Sequence, residues 1–146
     1  KGSNQAVAAA RMGAGVVYGT CVGSDSFGDW AMQLYEEEGI DARAVRRSTQ
    51  GLSTGVGLIY VNKEGENEII IDFAANREFS PQDLDGMEAE LKECRLLLTQ
   101  LEGSMETVEY AAKIWFMVAA WSSRVLPSPT PLSFRRDRLG STSTGG

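Results

Sequence analysis

The sequence predicts an α/β fold with a parallel central sheet and a protruding β-hairpin. Segments with the apolar spacing of helices alternate with short β-branched runs, a pattern typical of parallel strands joined by helices. Two further apolar runs flank the segment Asn-Lys-Glu-Gly, whose Asn and Gly suit the positive φ angles of a hairpin turn. Of the 146 residues, 42% are hydrophobic and 23% are charged, which permits a buried core.

The first third of the chain is predicted to form a helix, a strand and a second helix. Residues 4–12 are rich in Ala and contain neither Gly nor Pro, so they favour a short helix. Residues 16–22 are apolar and β-branched, which predicts a buried strand. Residues 27–38 repeat apolar side chains every three to four positions, the period of an amphipathic helix, and Asp25 or Ser26 is expected to cap it.

The next segments are predicted to form the hairpin, a helix, a strand and a helix. Residues 54–61 and 66–73 are the two hairpin strands. A Ser-Pro-x-Asp start predicts a helix over residues 80–93. Residues 96–101 predict a buried strand, and residues 106–115 a final helix. The hairpin is expected to serve as a lid or contact surface, with an extension of the main sheet as the alternative.

The segment 115–146 differs from the segment 1–114. It holds four Arg and one Asp, whereas the segment before it holds ten basic and nineteen acidic residues. Three of the four prolines and many serines lie in it, so we expect it to be mostly disordered. One explanation is a frame-shifted or foreign continuation. A docking or nucleic-acid-binding role for the basic cluster 135–138 is the alternative.

Composition argues against several classes of function. The net charge of −6 disfavours nucleic acid as a partner, and the absence of His excludes nucleophiles activated by His. Cys21 and Cys94 form no C-x-x-C pattern, which indicates free thiols in a reducing cytosol rather than disulfides or zinc. The longest apolar run, 115–121, is much shorter than the ~20 residues of a membrane span. The acidic run 36–38 indicates a solvated helix face, because adjacent helical residues do not converge on one metal ion.

Residues 1–14 read KGSNQAVAAARMGA, and several shorter motifs follow them. These are VGSDSFG at 22–28, GID at 39–41, STGV at 53–56, GEN at 65–67, AAN at 74–76 and LLTQLE at 97–102, with ET at 106–107. The series resembles the ribokinase/PfkB-type carbohydrate kinases, entered at the Lys of their first sugar-binding signature and matching residues 1–114. The opening KGSNQA and the QLE motif favour the family members that act on ribose.

The resemblance implies a partial ribokinase-like three-layer fold in which residues 53–73 form the lid hairpin and often mediate contact between two copies. It also implies that Lys1 and Asn4 hydrogen-bond sugar hydroxyls, that Gly2 lets the backbone approach the sugar, and that Glu102 binds the sugar from beyond a strand. Such groups suit a ring of hydroxyls. From the residues alone, the favoured interpretations differ: Asn4 would be a helix cap and Lys1 a solvated terminus. Glu102 would be an acidic residue at the start of a helix.

The resemblance further implies a cytoplasmic kinase that converts D-ribose and ATP to ribose 5-phosphate and ADP with magnesium and a monovalent cation such as potassium. In the family, a G-A-G-D motif carries the catalytic Asp and an N-x-x-E motif assists the magnesium. Neither motif occurs in this chain, and no Walker loop replaces them. We therefore predict no catalytic and no metal-binding residue here, and a fragment that is inactive by itself. The alternative is a truncated, non-catalytic product that binds sugar weakly or associates with itself.

Overall fold

The structure of this chain is a computed structural model that describes the backbone of residues 1–121 and the side chains of residues 1–115. Its elements are α1 (Gly2–Arg11), β1 (Val17–Val22), α2 (Ser26–Glu37), β2 (Asp41–Arg47), β3 (Val56–Val61), β4 (Asn67–Asp72), a 3-10 helix (Ala74–Glu78), α3 (Pro81–Asp85), α4 (Glu88–Glu93) and α5 (Met105–Trp121). No helix among these is long and apolar enough to span a bilayer. The predicted disordered tail begins inside α5, and the rest of it, residues 122–146, lies outside the described residues.

The central unit is β1, α2 and β2, in which the two strands pair in parallel. Partners run from Val17 opposite Asp41 to Val22 opposite Arg47, with one irregularity after Val17. This confirms the parallel sheet, but β2 itself was not predicted. Three arginines and an aspartate alternate irregularly with its small apolar residues, so its sequence lacks the period of a strand.

Helix α2 begins as the sequence predicts, with Asp25 as its cap. The Asp25 carboxylate accepts a hydrogen bond from the backbone N–H of Gly28 at 2.8 Å. The helix ends before Gly39, whose φ of +67° places it in the left-handed region that glycine adopts without strain. The buried Tyr35 on α2 packs with Ala6 of α1 and with Ile40, and this cluster holds both helices against the sheet.

The hairpin is confirmed as an antiparallel pair of strands that forms a sheet of its own. Its turn is built by Asn62, whose side-chain oxygen accepts hydrogen bonds from the N–H groups of Glu64 and Glu66 at 3.1 and 2.8 Å. Gly65 follows with a φ of +84°. All residues of β3 and β4 except Val56 are exposed, so the hairpin projects from the sheet instead of extending it.

The segment 80–93 forms two short helices where one was predicted. The Asp83 carboxylate accepts hydrogen bonds from the Ser80 N–H at 2.7 Å and the Ser80 hydroxyl at 2.9 Å, which confirms the predicted start. The helix then stops at Gly86, a residue of low helix propensity, and α4 begins after Met87. The break places Met87 beside Leu84, Leu91 and Ala111 in the second buried cluster.

The prediction of a buried strand over residues 96–101 is wrong. The segment has no regular structure, and Leu96, Leu98 and Leu101 are 74%, 59% and 70% exposed. Leu97 alone packs against the second cluster. A strand needs a partner that satisfies its backbone hydrogen bonds, and within residues 1–121 no strand pairs with this segment. The apolar run therefore has the composition of a strand, but composition does not show whether a neighbouring strand is present to pair with it.

Candidate functional site

The structure brings Lys1 and Glu102 together, although 101 positions separate them. The Nζ of Lys1 donates to Oε1 of Glu102 at 2.6 Å. Lys1 is the N-cap residue of α1, and Glu102 lies in the irregular segment that leads to α5. The two most polar members of the predicted sugar site are thus within contact of each other.

Both side chains of the Lys1–Glu102 pair are charged at neutral pH. Hydrogen bonding from the Lys1 side-chain ammonium group holds the pKa of Glu102 below its ordinary value. The carboxylate is therefore ionised at neutral pH. The Lys1 side chain is 65% exposed and that of Glu102 is 21% exposed, so the pair adds little to stability and is open to an incoming ligand.

Asn4 and Gly2 occupy different positions relative to this pair. Asn4 is exposed and lies in the first turn of α1, three residues after Lys1. A Cβ atom added at Gly2 would lie 2.8 Å from the hydroxyl oxygen of Tyr18. Gly2 therefore lets α1 pack closely on β1, and its predicted contact with a sugar stays a prediction.

Several residues that sequence reasoning did not assign support the start of α1. The Nε2 of Gln100 donates to Oε1 of Gln5 at 2.8 Å, a second link between α1 and the segment that carries Glu102. On the inner side, the Ser3 hydroxyl lies 2.8 Å from the hydroxyl of Tyr35. Burial raises the pKa of Tyr35 to about 12, so this hydroxyl is neutral. Gln5 lies in the motif KGSNQA and Gln100 in the motif LLTQLE, but nothing in the sequence indicates that the two side chains pair.

A parallel β–α–β unit with an exposed hairpin, and a Lys–Glu pair at the start of its first helix, define an α/β protein with a polar site at one helix start. The chain belongs to the pfkB family of carbohydrate kinases, whose model matches residues 1–112 and so includes all four predicted site residues. The architecture confirms the ribokinase-like fold that the resemblance implied.

Individual relatives agree with this assignment. Ribokinase from Haemophilus influenzae is 37% identical over 139 residues, which are 95% of this chain and 44% of that protein, so this alignment extends beyond residue 114. Deoxyribokinase from Salmonella typhi is 41% identical over 111 residues, which are 76% of this chain and 36% of that protein. The crystal structure of ribokinase from Thermotoga maritima has a TM-score of 0.68 and 38% identity, and covers 77% of this chain and 36% of that one. The chain thus spans less than half the length of these relatives.

Proposed function

We propose that this chain supplies part of the sugar-binding side of a cytoplasmic, ATP-dependent pentose kinase, with D-ribose as the sugar. The observation that carries the proposal is the contact between Lys1 and Glu102 at the start of α1. The names of the two curated relatives support a pentose as the substrate class. Because those names include both a ribokinase and a deoxyribokinase, 2-deoxyribose is the acceptor to compare with ribose.

The groups at this site match the surface of a pentose. A sugar hydroxyl both donates and accepts, so the carboxylate of Glu102 accepts from one hydroxyl while the Lys1 ammonium donates to a neighbouring one. The amide of Asn4, in the first turn of α1, offers an NH2 group that donates and a carbonyl oxygen that accepts. A bound sugar would then replace part of the exposed Lys1–Glu102 contact, and hydrogen bonds to ionised groups are about twice as strong as neutral ones.

Replacing Glu102 with Gln is expected to weaken ribose binding by about 10-fold or more. A hydrogen bond to a charged group contributes roughly 1.5–3 kcal/mol, and each 1.4 kcal/mol corresponds to about tenfold in affinity. Titration calorimetry of the 146-residue chain with ribose and 2-deoxyribose measures the change. Glu106→Gln, an exposed acid four positions later, is the matched control and should leave the affinity unchanged. Equal affinities for Glu102→Gln and the unsubstituted chain would contradict the assignment of Glu102.

ATP and magnesium do not fit the described residues. Helix starts are the usual places for phosphate, but the starts of the three longest helices lie beside carboxylates, those of Glu102, Asp25 and Glu106. A carboxylate in that place repels a phosphate. Within residues 1–121 no three His, Cys, Asp or Glu side chains come together as a metal site. The nucleotide and its metal are therefore assigned to the family's activity and to none of the residues whose side chains the structure describes.

We further propose that these 146 residues alone transfer no phosphoryl group. Transfer to a hydroxyl requires a positioned base and donors around the phosphates, and the sequence contains no Gly-x-Gly-Asp stretch to provide them. Incubation with ribose, ATP and magnesium should release no ADP above the rate of a sample without ribose. Ribose-dependent release of ADP would contradict this proposal, even if ribose binding were confirmed.

Self-association through the hairpin is a second candidate role. Seven apolar side chains of β3 and β4 are between 45% and 65% exposed: Leu58, Ile59, Tyr60, Val61, Ile69, Ile70 and Ile71. They occur on both faces of a two-stranded sheet, a surface that is normally covered. We propose that a second copy of the chain covers it, which would give a homodimer through the lid hairpin.

A further inference from the structure

The carboxylate of Asp25 links the entry of the hairpin to the central unit. Asp25, the cap of α2, accepts a hydrogen bond from the Thr54 hydroxyl at Oδ1, 2.6 Å away, and another from the Thr54 N–H at Oδ2, 2.7 Å away. Thr54 lies two residues before β3 begins. The same carboxylate thus starts a helix and anchors the entry to the hairpin.

Further close contacts surround Thr54 and Gly23. The Thr54 hydroxyl also accepts a hydrogen bond from the Gly23 N–H at 2.9 Å, so it is held from both sides. A Cβ atom at Gly23 would overlap the backbone nitrogen of Thr54. Arg47, at the end of β2, donates to the Gly23 carbonyl at 2.6 Å and to Asp29 at 2.6 Å. We call Gly23, Asp25 and Thr54 together the hairpin joint.

The two ends of the hairpin, which we call its feet, contact each other: the first is the entry at Ser53 to Gly55 and the second is the exit after β4. The Ala75 N–H, just after β4, donates to the Ser53 carbonyl at 3.0 Å. Gly55 lies so close to Asn76 that an added Cβ atom would be 2.9 Å from its side-chain nitrogen. Both feet therefore meet at Ser53 to Gly55, and neither strand pairs with the β1–β2 sheet. Contacts at this point are thus placed to set the direction in which the hairpin leaves the central unit.

We propose that the hairpin joint is the pivot that fixes the angle between the hairpin and the β1–α2–β2 unit, with Asp25 as its positioning residue. A helix cap alone needs only the bond from Asp25 to the Gly28 N–H. The two bonds to Thr54 are additional, and they join elements that are 29 positions apart in the chain. Their removal should free the hairpin without unfolding α2.

Two substitutions separate the pivot from the cap. Thr54→Val removes the hydroxyl but keeps the shape of the side chain and the cap of α2. Asp25→Ser keeps a residue that caps helices well but is too short to reach Thr54. Thr54→Ser restores the hydroxyl and should behave as the unsubstituted chain does. Arg11→Gln, which removes a surface contact with Glu38 far from the joint, is the control.

Distances between spin labels report the angle. Labels at Glu36, on the exposed side of α2, and at Glu64, in the hairpin turn, are introduced as Cys in the full chain carrying Cys94→Ser, since Cys21 is fully buried and does not react. Hydrogen exchange of the α2 and β1 amides shows in parallel whether the central unit is intact.

A broadened or shifted distance distribution in Thr54→Val and Asp25→Ser, with α2 still protected and Thr54→Ser unchanged, is the expected result. An unchanged distribution in both variants would overturn the proposal. Broadening that is accompanied by loss of α2 protection in Thr54→Val would also overturn it, because the contact would then be a general part of the fold. If Asp25→Ser fails to fold, the comparison of Thr54→Val with Thr54→Ser decides.

Discussion

Gly28→Ala is expected to lower the free energy of unfolding by about 2 kcal/mol. A methyl carbon at residue 28 would overlap the carbonyl oxygen of Gly23 and lie 2.5 Å from Nη1 of Arg47 and 3.0 Å from the Thr54 hydroxyl. Overpacking of this kind costs roughly 1–3 kcal/mol, and contact with backbone favours the upper end. Helix propensity acts in the opposite direction, since Ala is better than Gly in a helix by about 1 kcal/mol. The steric cost is larger, so the net effect is destabilising.

Gly57→Ala is the matched control for this substitution. Gly57 lies in β3, its φ is not positive, and an added Cβ atom would meet nothing within 4 Å. Removing a strand glycine without a clash should raise the free energy of unfolding by roughly 0.5–1 kcal/mol. Urea unfolding followed by circular dichroism measures both variants. The same sign of change in the two would show that the space around Gly28 is not the limiting factor.

Local signals predicted the elements of this chain better than long-range ones did. The cap at Asp25, the Ser80 start and the Asn–Gly turn are patterns of a few adjacent residues, and the structure contains all three. Strand β2 lacks an apolar period because its arginines bind carboxylates of other elements, such as Glu90 and Asp83. The segment 96–101 has the composition of a strand but no partner among the described strands. Pairing is a property of two segments, and one segment does not reveal it.

At the candidate site too, the sequence indicated individual residues but not the contacts between distant ones. The resemblance named Lys1 and Glu102 separately, and the structure adds that they touch. The motifs VGSDSFG and STGV also appeared as separate parts of the series, whereas Asp25 and Thr54 in fact form one joint between them. Each motif contains one of the two residues that form a contact. The physical reason for that residue is therefore visible only when its partner in the other motif is known.

Arg46→Met is expected to lower the free energy of unfolding by about 3 kcal/mol. Arg46 lies in β2 and forms ion pairs with Asp83 at 2.7 Å and with Glu78 at 3.3 Å. The Glu78 side chain is only 3% exposed, so loss of Arg46 leaves a buried carboxylate without its cation. Breaking a buried pair by removing one partner costs roughly 3–5 kcal/mol. The lower end applies because the Arg46 side chain is 29% exposed.

The effect should depend on pH in a known direction. Hydrogen bonds from the Ser48 hydroxyl, the Thr49 N–H and the Arg46 guanidinium lower the pKa of Glu78 from its ordinary value. A carboxyl with a lowered pKa in the folded state contributes stability above its unfolded pKa and loses it as the pH falls through the folded pKa. Without Arg46 the pKa of Glu78 rises. The difference in stability between Arg46→Met and the unsubstituted chain should therefore be largest near neutral pH and shrink in acid.

Arg43→Met, in the same strand, separates this buried network from the loss of any arginine. Arg43 pairs with Asp41 at 2.7 Å and Glu90 at 3.2 Å, but its side chain is 71% exposed. Exposed pairs contribute about 0–1 kcal/mol, so this variant should unfold at nearly the same urea concentration as the unsubstituted chain. Equal losses in the two variants would mean that burial of Glu78 does not set the cost. A large loss for Arg46→Met alone, fading as the pH is lowered, ties it to the charge of Glu78 rather than to the packing of the Arg46 side chain.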